Sequence, residues 1–249
     1  MAHILGAGSS KAEREHRFFL RMAALILLFT VIGFAPSYYL RAFIPPLHPM
    51  EPLNLLVHLH GIVFSSWVIL FMVQVGLISA GKRHVHRQLG MLGILLVALM
   101  IPLAIAVGIA GIHRPLTAAP GIDPLSWAAL PLLDAPVFGG LIISALAMRH
   151  RPDVHKRLML VAMINMVQPS AGRLIGMTGL PGEAVGPLSG LVVLALLAAL
   201  LFRDWLATRR FHPAVLIGSA IVFARIALTP VVWSTGPWLS FARWVSGGG

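Results

Sequence analysis

Two imidazoles, His58 and His60, stand inside an apolar run in the stretch N-L-L-V-H-L-H-G, residues 54–61. Imidazole ligates metals and haem iron, and it carries protons near neutral pH. A metal held by both rings would need them on one side of a helix. Residues two apart on a regular helix point about 200° from each other, so the pair is kept apart unless Gly61 kinks the chain. His60 begins a stripe with Phe64, Trp67, Phe71 and Gln74, spaced +4, +3, +4, +3 along one helical face. His58 lies on a different face.

The other polar residues inside apolar runs are few: Asn54, Asp134, Asn165, Gln168, Arg173 and Arg225. Such groups are costly at membrane depth, which makes each a functional-site hypothesis. At 1.5 Å per residue, His60 lies roughly 10 Å, and Asp134, Gln168 and Arg225 roughly 12 Å, from the outer ends of their runs. The shared level predicts one polar cavity in the outer third of the membrane. Pro136 and Pro169 are expected to break their helices there and free carbonyls for that cavity.

A second histidine pair lies at the other end. His86 in "GKRHVHRQLG" and His155 in "RPDVHKRLML" both fall at the starts of apolar runs, in a shared V-H-[KR]-x-L pattern. Matched depth makes them the better bis-histidine pair for haem b. For a haem ligated by His60 at the other end, Arg173 or Arg225 would pair the propionates. The cofactor-binding set is His60, His86, His155, Trp67, Gln168, Arg173 and Arg225. A transition metal would take His58, His60 and Asp134, with His48 and Glu51 as further ligands. A quinone would fit beside His60 and Trp67. Without a cofactor, the same residues suit a carrier of a small anionic or lipid-like ligand, or the interfaces of an accessory or assembly subunit in a larger membrane complex. The competing structural readings are a buried Asp134–Arg225 ion pair, and interhelical histidine hydrogen bonds worth about 1 kcal/mol. His84, His86, His150, His155 and His212 could equally serve only to tune charge among headgroups.

The elements that must position these groups are membrane helices. The chain has 249 residues, 58% hydrophobic and 11% charged, against about 25% charged in a soluble domain. Seven runs reach the roughly 20 residues a span needs: 18–40, 53–80, 88–112, 126–148, 156–176, 187–206 and 213–233. They predict an all-α, polytopic seven-helix bundle forming a single transmembrane domain over 1–249. The polar, basic N-terminal segment reads as retained rather than as a cleaved leader. Fourteen of the 19 Lys and Arg residues fall in the N-terminal segment and the 2–3, 4–5 and 6–7 turns. That places the N-terminus in the cytoplasm and the C-terminus outside. It also explains the net charge of +11 without nucleic acid. No cysteine is present, so thiolate ligands, iron–sulfur clusters and disulfides are excluded. Gly172 and Gly176, and Gly186 and Gly190, stand at the small-xxx-small spacing of close helix packing. Span 6, with "LVVLALLAALLF", shows no polar feature and reads as a lipid-facing scaffold.

The motifs "HLHGIVFSSWVILFMVQ", "GKRHVHRQLGMLG" and "RPDVHKRLMLVAM" resemble a group of small bacterial multispanning membrane proteins over about residues 54–175. The H-R-x-L-G start of a span is loosely similar to turns of membrane b-type cytochromes. The resemblance implies a multi-pass protein of the bacterial inner membrane and transfers no catalytic residue. With the histidines at paired depths, the leading expectation is a haem or metal site with a redox or electron-transfer role.

Overall fold

In hydrocarbon the backbone has no water to bond, so each long apolar run closes its hydrogen bonds within a helix. The computed structural model describes residues 2–45, 49–117 and 121–247. Its elements are α1 (Ala2–Phe34), a π-helical turn (Ala35–Tyr39), α2 (Leu55–Ser79), α3 (Arg83–Ile112) and a 3-10 turn (Pro115–Thr117). Then come α4 (Pro124–Trp127), α5 (Ala129–Ala147), α6 (Pro152–Asn165), α7 (Val167–Gly176), α8 (Gly182–Thr208), α9 (Pro213–Val232) and α10 (Gly236–Val245). No strand occurs among the described residues. Among the described residues, seven segments are long and apolar enough to cross a membrane: Ala12–Tyr39, Leu55–Ser79, Arg83–Ile112, Pro124–Ala147, Pro152–Gly176, Gly182–Thr208 and Pro213–Val232.

Spans 1, 3, 5 and 6 begin four to six residues before the hydropathy bounds. Helices continue through polar ends that hydropathy discards, so His86 and His155 sit on helices. Pro136 does not break its span, contrary to expectation. α5 runs through it from Ala129 to Ala147, and the interruption falls earlier, at Ala128. α2 likewise runs unbroken through Gly61, whose open face receives the Tyr38 ring.

Span 5 is the central helix. Half of its most apolar window is buried, against 22–39% for the other six. It packs on spans 1, 4, 6 and 7, and Trp67 of α2 reaches it by donating Nε1–H to Met163 Sδ at 3.0 Å. The other spans follow one another around it in the order 1, 2, 3, 4, 7, 6. An Arg203–Glu15 ion pair of 3.4 Å closes the ring between spans 6 and 1. α1 approaches α7 closely: a Cβ on Gly33 would lie 2.5 Å from the Ser170 carbonyl oxygen. Of the paired glycines, Gly172 packs on Val185 and Gly190 on Ile226, while Gly176 and Gly186 face open space.

α10 follows the seventh span. Trp238 and Ala242, four apart, form its buried face. Trp238 Nε1 donates to the Leu125 carbonyl at 2.9 Å, tying α10 to α4. Trp244 on its outer face remains 73% exposed.

Candidate functional site

Pro169 determines where the central helix breaks. Its ring carries no N–H and would collide with the carbonyl four residues back, which is that of Asn165. α6 ends at Asn165 and α7 begins at Val167. The Asn165 side chain at this break is wholly buried. Its Nδ2 donates to Asp134 Oδ1 at 2.7 Å, and its Oδ1 accepts from Arg225 Nη2 at 3.0 Å. Arg225 Nε lies 3.4 Å from the same Asp134 oxygen. One amide therefore bridges a carboxylate of α5 and a guanidinium of α9. Each member lies within about three residues of the middle of its span, near the bilayer midplane. The two charges cancel inside the triad. Asp134 keeps 23% of its side chain open, whereas Arg225 keeps 4%.

His60 and Arg173 occupy the flank of the central helix facing spans 1 and 2. The His60 ring stacks on Phe64 at 4.0 Å, and its Nδ1 is buried without a protein partner. Arg173 lies within electrostatic range of it. Arg173 Nε donates to Ser37 Oγ at 3.2 Å and Nη1 to the Pro169 carbonyl at 3.1 Å. Its guanidinium also lies over the Phe34 ring at 4.2 Å. The π-helical turn makes this docking possible, since it brings Ser37 to Arg173 while Tyr39 Oη meets Ser65 Oγ at 2.7 Å. His58 points elsewhere: Tyr38 Oη donates to its carbonyl at 3.2 Å and lies 3.5 Å from its Nδ1. Trp67 is a core residue, edge-on to Phe138 at 6.3 Å. Gln168 turns toward α8 beside Gly190, with Oε1 buried and unpartnered. The polar groups read as one level thus fall into separate sets, one around Asn165, one around Arg173, and Gln168 apart.

His86 and His155 lie near the opposite ends of spans 3 and 5, within electrostatic range of each other. His155 Nδ1 is 2.8 Å from the Ala145 carbonyl oxygen. A carbonyl only accepts, so Nδ1 carries the hydrogen and the neutral ring keeps its Nε2 lone pair free. His86 Nδ1 is buried without a protein partner. Gln74, the last member of the α2 stripe, donates Nε2–H to the His86 carbonyl at 3.0 Å and leaves Oε1 buried and unpartnered.

Asp204 was absent from the sequence-derived set. It is 1% exposed, in the last two turns of α8. Arg157 grips it bidentately, Nε to Oδ2 at 2.8 Å and Nη2 to Oδ1 at 2.9 Å, and Arg203 Nη1 adds a third contact at 2.9 Å. Lys156 and Arg203 share Glu15 of α1 at 2.5 and 3.4 Å, and His212 Nε2 meets Asp153 at 3.1 Å. The available signal was an acid directly after Arg203, in the last turn of the 187–206 run.

Among the described residues, no three His, Cys, Asp or Glu side chains converge where a metal ion could be held. His58, His60 and Asp134 are not gathered at one point, and His48 lies outside the described residues. No family model, curated protein or solved structure matches the chain.

Proposed function

We propose that this multi-pass protein belongs to a bacterial inner membrane, N-terminus cytoplasmic, and holds a haem b or transition-metal ion between His86 and His155 in a redox or electron-transfer role. The observation that carries the reading is the Nδ1 contact of His155 with the Ala145 carbonyl. It is the arrangement by which proteins orient a ligating imidazole and leave Nε2 for the metal. His86, in the first turn of α3, has a buried ring nitrogen without a protein partner, and Gln74 Oε1 supplies an oxygen nearby. Two helices offering one imidazole each suit axial ligation of haem iron, or a low-coordinate metal site that needs no third histidine. The absorbance spectrum and metal content of the purified protein test this. The expected result is a Soret band or stoichiometric metal, lost in His86→Ala and His155→Ala and retained in His58→Ala. Protein without either band or metal sinks the reading.

The midplane triad favours a second reading, a proton-linked carrier of a small anion. Protonating Asp134 would remove the negative partner of Arg225 and leave its charge for an anion. Anion uptake into proteoliposomes should then depend on an imposed proton gradient and vanish in Arg225→Met. Uptake indifferent to both rejects it.

A further inference from the structure

Two cavities follow one another along the seam between α8 and α9. At the end of the seam, a pocket of about 240 Å³ is lined by Arg157, Asp204, Thr208, Arg210, Phe211 and His212. Further along, a groove of about 300 Å³ runs between Leu194, Leu197, Ala198 and Leu201 of α8 and Leu216 and Phe223 of α9. The two are contiguous in the helical register: Leu201 precedes Asp204, and Leu216 follows Pro213, by three residues each. Its chemistry is polar and basic at the helix ends, and apolar in the part that crosses hydrocarbon.

The charge of the polar end is positive. Lys156, Arg157, Arg203, Arg209 and Arg210 cluster there with the carboxylates Glu15, Asp153 and Asp204. Both Asp204 oxygens are occupied by arginines, so the carboxylate offers little repulsion to an entering anion. Arg210 lines the pocket, is exposed, and makes no ion pair among the described residues. The turn that presents it is a built feature. Arg209 takes a left-handed conformation with φ 54° at the end of α8, and its guanidinium rests on Trp205 at 4.6 Å. Thr208 Oγ1 lies 2.9 Å from both the Asp204 and Arg210 carbonyls and holds the reversal closed. In the groove wall, Ser219 Oγ is buried without a protein partner, a single hydrogen-bonding group in an apolar channel.

We propose that the α8–α9 seam binds one anionic phospholipid, its phosphate at Arg210 and an acyl chain along the groove. A soluble phosphate would use the pocket and leave the groove empty. A zwitterionic lipid would bring a second cation against Arg209 and Arg210. Only a ligand with an anionic head and a hydrocarbon chain satisfies both parts, and basic pockets between spans near a membrane surface are suited to such headgroups.

Native mass spectrometry of the full chain in detergent tests this with phosphatidylglycerol, phosphatidylcholine and inorganic phosphate as separate probes. Phosphatidylglycerol should be retained in preference to phosphatidylcholine. Arg210→Gln should weaken that retention about fivefold, the share one basic residue near a membrane surface contributes, and leave phosphatidylcholine unchanged. Ala198→Phe, which fills the groove, should lower retention of phosphatidylglycerol. Arg210→Gln is a surface change that leaves the packing intact and carries the test if Ala198→Phe does not fold. Equal retention of the two lipids, indifference of phosphatidylglycerol to Arg210→Gln, or inorganic phosphate held as tightly as the lipid would each overturn the proposal.

Discussion

Asn165 uses both ends of its amide on charged partners, one from α5 and one from α9. Removing one member of such a triad leaves an uncompensated charge in a dry interior, whereas removing both charges leaves the buried Asn165 amide as the one unpaired polar group. Arg225→Met is therefore expected to destabilise the protein by about 3 kcal/mol. The double substitution Asp134→Leu with Arg225→Met should recover part of that loss, and adding Asn165→Leu should recover more, because it removes the amide left unpaired. Thermal unfolding in detergent measures each. A double variant as unstable as the single would show that the charges stabilise beyond their mutual pairing. The ion-pair reading of Asp134 and Arg225 was available from their types and depths, but the bridge was not. Asn165 was in view only as one polar residue among several, and nothing in its neighbours in sequence points to residues 31 positions before and 60 after it.

The helices owe their interruptions to particular carbonyls. Pro169 frees the Asn165 carbonyl and splits span 5, while Pro136, equally deprived of an N–H, sits inside a continuous α5. A proline identifies which bond is lost, and packing decides whether the helix bends or breaks. The stripe on α2 was legible because its period is local: Trp67 and Phe71 are buried and Gln74 is partly so. The π-helical turn after Phe34 was not legible, since its purpose lies in Arg173 and Ser65 of other helices. The α1–α7 contact admits no side chain at Gly33, where a Cβ would lie 2.5 Å from the Ser170 carbonyl oxygen. Gly33→Ala should therefore cost about 2 kcal/mol through overpacking, read as a lowered Tm. Gly176→Ala, with open space around it, serves as the control and should leave Tm unchanged.

The molecule as a whole is a ring of six spans around the broken span 5, and most of the ion pairs among the described residues collect at one end. That end carries Glu15, Lys156, Arg157, Arg203 and Asp204 in a connected network. On the orientation proposed above, that end faces the cytoplasm. Since the chain has no cysteine, a single introduced one reports its own side. In intact cells an impermeant maleimide should label Glu183→Cys, at the start of α8, and spare His150→Cys, in the 4–5 turn. The reverse pattern would invert the proposed orientation. The seven apolar runs, the basic turns between them and the scarcity of polar residues at depth are properties of the sequence alone, because a backbone without water must bond locally and each run declares that by itself. Which polar side chains meet was decided only by the tertiary structure. Hydropathy carries no record of which helix stands beside which, and the break at Asn165 directs that side chain toward Asp134 and Arg225 while His60 stays with Arg173 on the other flank.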